Sequence, residues 1–123
     1  MIESGIDEKT LNELQRKMFQ YFLEQANPAN GLVIDRSAAE WPASTAAVGF
    51  ALAAYPVGVE RAFISRAEAV ERTLATLRFF WNSPQSDRPD ATGYKGFYYH
   101  FLDMKSGRLS CLPSIRHSYS RAC

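Results

Sequence analysis

Apolar side chains recur at helical spacing in two stretches of this chain. Leu11, Leu14, Met18, Tyr21 and Phe22 follow one another at spacings of mostly three and four, behind a Thr10/Glu13 capping-box pattern, which predicts a helix over about Leu11–Ala26. Asn27-Pro28 ends it, because proline cannot continue the hydrogen-bond ladder. Val70, Leu74, Leu77 and Trp81 mark a second such stripe over about Arg66–Asn82, with Ser65/Glu68 as its capping box and Glu68–Arg72 as a supporting ion pair. On this pattern Trp81, Phe79 and Phe80 are core residues. Between the two stripes, Ala46 to Tyr55 is rich in alanine behind a Ser44 or Thr45 cap. It predicts a helix that can be approached closely on several sides and that Pro56 stops.

The remaining text is less regular. Residues 27–42 read as a loop holding a brief extended piece, Leu32-Val33-Ile34. Phe97, Tyr99 and Phe101 alternate with Tyr98, His100 and Leu102 as in a strand, and Lys105-Ser106-Gly107 supplies a hairpin turn. From Leu109 onward no period is visible. The expected class is mainly α with one small β-hairpin.

Composition narrows the functional range. With 123 residues, 46% hydrophobic, the chain is sized for one modest core. A formal net charge of +1 without a basic stripe suggests neither nucleic acid nor an anionic membrane as partner. The apolar stretch Ala46–Val59 is too short to span a bilayer, which takes roughly 20 residues. The acidic N-terminus lacks the basic-then-apolar order of a secretory signal, which leaves the cytoplasm as the default location. Cys111 and Cys123, both in irregular text, suggest neither a structural disulfide nor a metal site. No cofactor is implied.

Candidate chemistry gathers in two places. Tyr94, Lys95 and His100 lie in a run of aromatic rings beside polar groups, the combination that holds sugars; the alternative is a strand whose rings cover the helices. Asp35 and Arg36 sit on the loop after Ile34, either facing a cleft or organising that loop through hydrogen bonds. Trp41, in a proline-flanked loop, is a sugar platform or a lid over helix ends. Asp103 reads as turn chemistry. No pair of carboxylates can be assigned as catalytic.

Several blocks in this order, Tyr21-Phe22 with Glu24-Gln25-Ala26-Asn27-Pro28, Asn30 to Ser37, Pro42 to Ala54, Leu77 to Asn82 and Gly93 to Met104, resemble the bacterial glucoamylase-like domain family, whose relatives include β-1,2-glucan hydrolases and a domain of cyclic β-1,2-glucan synthases. The resemblance covers residues 10–108. It implies the opening helices of an (α/α)6 toroid, truncated here, with Asp35, Arg36, Tyr94, Lys95 and His100 as parts of a glucan cleft. In relatives the hairpin leads into a helix, whereas residues 109–123 diverge in a way that another reading frame of suitable codons would mend. A frameshift before Pro113 is therefore expected, and with it an N-terminal fragment, inactive alone, whose exposed helix faces self-associate. The alternative is a non-catalytic helical module that binds carbohydrate or a protein.

Overall fold

The computed structural model describes residues 5–111. Its elements are α1 (Glu8–Glu24), β1 (Ala43–Ser44), α2 (Thr45–Glu60), α3 (Arg66–Asn82), β2 (Gly93–Tyr94), β3 (Phe97–Tyr98) and β4 (Phe101–Leu102). The mainly helical class is as expected, and α3 has the expected bounds. The divergent tail lies outside the described residues from position 112.

Helix α1 starts three residues earlier than the stripe suggested. Asp7, not Thr10, is the N-cap: its carboxylate accepts the Thr10 backbone N–H at 2.7 Å, so the Thr10/Glu13 capping box does not form. The Thr10 side chain and, after it, this backbone bond hold the Asp7 carboxyl below its ordinary pKa. Helix α2 is capped by Ser44, whose Oγ accepts from Ala47 N at 3.0 Å. It does not stop at Pro56 but runs through it to Glu60. Proline removes one ladder bond, yet Pro56 lies on an exposed position while its neighbours Tyr55 and Gly58 are buried. Gly58 sets the close approach of α2 to α1, since a Cβ there would stand 2.3 Å from the Phe19 ring. Packing on both sides of the proline outweighs its local cost. Ser65 caps α3 through Glu68 N at 3.1 Å, and the Glu68–Arg72 pair closes at 3.1 Å.

The irregular text forms a ladder of short antiparallel pairings. Ala26 pairs with Val33, Ile34 with Ala43, Ala43 and Ser44 with Leu102 and Phe101, and Leu102 with Leu109. Thus Leu109, where the sequence loses its period, still completes the hairpin about the 104–106 turn. Leu32, Val33, Ala43 and Leu102 are fully buried here. Two amides clamp the turn: Asn27 and Asn30 each donate Nδ2 to the Met104 carbonyl, at 3.0 and 3.1 Å. The Asp103 carboxylate accepts from Lys105 N, Ser106 N and Ser106 Oγ, and these bonds hold its pKa below the ordinary carboxylate value.

The strand expected over 97–102 is broken in two. Tyr94 and Phe97 pair across a two-residue turn, Lys95-Gly96, in which both residues have positive φ (50° and 85°), the requirement of a type I′ hairpin. This separate hairpin takes up β3 and leaves Phe97 80% exposed, so Phe97 does not share a buried face with Tyr99 and Phe101. Tyr99 does pack against the core and is more buried than His100.

The largest departure concerns the helical stripes. On α1 the buried residue is Phe19, while Leu11, Leu14 and Met18 are exposed. On α3 the core face is Ala69 and Thr76, with Phe79 and Phe80 packed partly against it; Val70, Leu74, Leu77 and Trp81 are exposed, Trp81 by 88%. Trp81 is therefore not core. Both stripes exist as helical faces; Tyr21 and Phe22 of the α1 stripe pack against the core, and the other members of both stay exposed among the described residues. Helix α2, expected to allow close approach on several sides, packs on both α1 and α3 and buries Val48, Ala51, Tyr55 and Gly58, while Phe50 and Val57 stay exposed. The Tyr55 hydroxyl has no hydrogen-bond partner among the described residues. Burial raises its pKa, and the nearby Arg72 guanidinium, outside hydrogen-bond geometry, pulls the other way.

Candidate functional site

The loop after Ile34 is closed by Asp35 N donating to Pro42 O at 2.9 Å. This closure brings three side chains together. Trp41 Nε1 donates to Asp35 Oδ2 at 3.3 Å, and the Arg36 guanidinium lies 4.6 Å from the centroid of the Trp41 ring. Asp35 and Arg36 are exposed and Trp41 is half-buried. Asp35 also makes it harder to ionise the Tyr21 phenol, whose pKa is raised mainly by burial and which donates to the Ile34 carbonyl at 2.6 Å. Trp41, a sugar platform or a lid on the sequence reading, is placed by the tertiary structure against Asp35 and Arg36. Its signal in the sequence was a lone tryptophan between Glu40 and Pro42.

A second group is the β2–β3 hairpin. Tyr94 and Lys95 are exposed, with Lys95 Nζ 5.2 Å from the centroid of the Tyr94 ring. The hairpin is anchored by Gly96 N to Gln85 Oε1 (3.1 Å) and, at the end of α3, by Tyr98 OH to Phe80 O (2.9 Å), where the two rings also meet edge-on at 4.7 Å. A sugar stacking on Tyr94 would displace Lys95 from that ring face or use it as a hydroxyl donor.

His100 stands apart from both. Its carbonyl accepts Thr45 N at 3.0 Å, and its exposed ring meets Phe101 edge-on at 4.3 Å. Because β1 and β4 are antiparallel, His100 lies at the Thr45 end of the ladder and Asp35 at the Pro42 end. Among the described residues no hydrogen bond, ion pair or ring contact joins the three groups.

The grooves of the molecule lie elsewhere. A cleft of about 510 Å³ between α1 and α2 is lined by Leu11, Leu14, Met18, Phe22 and Val57 among others, and one of about 420 Å³ between α2 and α3 by Tyr55, Val59, Val70 and Leu74. Neither is lined by any of the five candidates. Their apolar walls suit helix packing more than catalysis. Asp103 is also unsuited to proton donation: a glycosidic general acid has a raised pKa, and the turn bonds lower this one. Among the described residues no three His, Cys, Asp or Glu side chains are grouped to hold a metal ion, and no helix is long and apolar enough to cross a membrane.

No protein-family model matches the chain. Over 103 residues, 83% of its length, it is 32% identical to an exo-β-1,2-glucooligosaccharide sophorohydrolase (non-reducing end) from Parabacteroides distasonis, of which it spans 13%. The fold matches a glucoamylase-like protein from Bacteroides uniformis with a TM-score of 0.67 and 34% identity, over 85% of this chain and 24% of that one. It also matches, in fold, an endo-β-1,2-glucanase from Chitinophaga pinensis solved with sophorotriose and glucose, with a TM-score of 0.65 and 23% identity over 85% of this chain and 25% of the other. The chain thus spans between an eighth and a quarter of the proteins it resembles.

Proposed function

We propose that this chain, a relative of the glucoamylase-like proteins and β-1,2-glucan hydrolases in sequence and fold, is a fragment of a glucan-active glycoside hydrolase and is inactive alone. Residues 10–108 supply the opening helices of an (α/α)6 toroid, and 109–123 are the product of a shifted reading frame. The observation that carries the reading is the match itself: identity above 30% over more than four-fifths of this chain, to proteins several times its length.

Asp35, Arg36, Tyr94, Lys95 and His100 are proposed to border the sugar cleft of the whole domain, with Trp41 beside the first two. Their separation into three groups is what a binding rim needs and what a reaction centre does not. Hydrolysis takes two carboxyls roughly 5 to 9.5 Å apart across the scissile bond, one of them kept protonated. That pair is assigned to the part of the domain this chain lacks.

The test is release of reducing sugar from a linear β-1,2-glucan by the 123-residue chain and by a frame-restored protein. The expected result is turnover by the restored protein alone. Cleavage by the 123-residue chain would overturn the fragment reading. Binding without cleavage by the restored protein would replace hydrolysis with a carbohydrate-binding module.

A further inference from the structure

We propose that Asn30-Gly31 is a self-modification site gated by the ladder of short pairings. Asn30 stays an amide while the ladder is closed and converts through a succinimide to aspartate or isoaspartate once it opens. The inference uses only the chain's own fold and is independent of the fragment reading above.

The sequence supplies the reactive pair. Of the four asparagines, Asn27 precedes a proline, whose nitrogen carries no hydrogen, and Asn12 and Asn82 precede Glu13 and Ser83, whose side chains crowd the attacking nitrogen. Only Asn30 precedes a glycine, the residue that leaves this nitrogen open and its backbone free to turn. In a mobile chain the Gly31 nitrogen attacks the Asn30 Cγ. The N–Cγ bond forms, the Cγ–Nδ2 bond breaks, and the amide leaves as ammonia carrying the hydrogen of Gly31 N. Water then opens the ring, at Cγ to give aspartate or at the Asn30 main-chain carbonyl to give isoaspartate. Water is the only co-reactant.

The closed fold restrains each participant. Asn30 is 7% exposed. Its Nδ2, the leaving group, donates to the Met104 carbonyl at 3.1 Å, and its Oδ1 accepts from Leu32 N at 2.9 Å. Gly31 N, the nucleophile, donates its hydrogen to the Asn27 carbonyl at 2.7 Å. Ring closure must swing Cγ over the Gly31 nitrogen, which pulls the amide out of its two bonds, and must take the hydrogen from Gly31 N, which removes the third. Thr76 lies so close over Gly31 that a Cβ there would strike its side chain, so the peptide has no room to turn. The Met104 carbonyl belongs to the turn between Leu102, paired with Ala43, and Leu109. It leaves Asn30 only when that turn lifts, a local opening of the ladder.

Conversion also prevents closure. Aspartate sets an oxygen where Nδ2 donated, so two acceptors face each other and a charge is buried without its hydrogen bond. Isoaspartate adds a carbon to the main chain inside a loop closed by Asn27 N to the Leu32 carbonyl at 2.7 Å and by Gly31 N to the Asn27 carbonyl. Asn30-Gly31 thus turns a reversible opening into a covalent and permanent one.

The experiment incubates the dilute 123-residue chain in mildly alkaline buffer over a series of urea concentrations, with peptide mass spectrometry following ammonia loss and isoaspartate at Asn30. Conversion in buffer is expected to be slower than in urea by about tenfold or more, and to rise along the same urea transition as the circular dichroism. Leu102→Ala, which empties a buried position of the ladder, is expected to speed conversion in buffer by about tenfold or more. Diluted out of urea, the converted chain fails to regain the parent's protease resistance, while the unconverted chain regains it. Equal conversion with and without urea, a rate that ignores Leu102→Ala, or a converted chain that recovers like the parent would overturn the proposal. The urea series on the parent chain decides it without any variant.

Discussion

The ladder of short pairings and the layer of three helices are both rich in apolar residues, yet only one is finished. In the ladder, Leu32, Val33, Ala43 and Leu102 lose all contact with solvent, and the Asn27 and Asn30 amides lock its turn. In the helix layer, seven large apolar side chains on α1 and α3 line up at regular spacing and stay exposed. Chain segments that return upon one another close the ladder from within. Among the described residues the outer faces of α1 and α3 have no such return. An apolar period therefore marks a face without saying what covers it.

Substitutions that break the finished region should cost the most. Leu102→Ala empties a fully buried position and is expected to cost about 2–5 kcal/mol in urea unfolding of the dilute chain. A loss below 0.5 kcal/mol would mean that the ladder is not the stable unit. Gly31→Ala comes next, at about 2–4 kcal/mol: its φ of 72° disfavours any side chain, and a Cβ would stand 1.9 Å from the Thr76 hydroxyl. An unchanged unfolding midpoint for this variant would refute the contact between the loop and α3.

A smaller effect, visible through pH, concerns Asp103. Its folded pKa lies below the ordinary 3.8, so the carboxylate's contribution is fully present above that value and fades as pH falls through the lower folded pKa. Asp103→Asn should lower the urea midpoint at pH 7, and the gap to the parent chain should close in strong acid. A gap independent of pH would show that the turn does not depend on this charge. The smallest effect is expected on the unfinished face. Leu77→Ala should leave stability within about 0.5 kcal/mol, the reverse of Leu102→Ala. A cost above 2 kcal/mol would place Leu77 in a core and erase the contrast.

Local chemistry was legible in the residues themselves. Ser65 and Ser44 caps, the Glu68–Arg72 pair, the bounds of α3 and the turn at Asp103 each depend on groups within four positions, and all are found. Two other features were misread where a distant contact outweighed a local rule. Pro56 does not end α2, because Tyr55 and Gly58 are buried around it. The aromatic run does not form one strand, because the type I′ turn at Lys95-Gly96 folds it back first. At the candidate site, Asp35 and Arg36 were visible as loop residues. Their assembly with Trp41 depends on the Asp35–Pro42 hydrogen bond that brings position 41 back to position 35.

By itself the sequence determined the helix faces, three of the caps and turns, and the resemblance to glucan-active enzymes, since each rests on residue order over short distances. Tertiary structure alone decided which of the apolar faces are covered, which aromatic rings face water and how far apart the proposed sugar-binding groups lie. Burial is a property of pairs of surfaces, and periodicity describes one surface at a time.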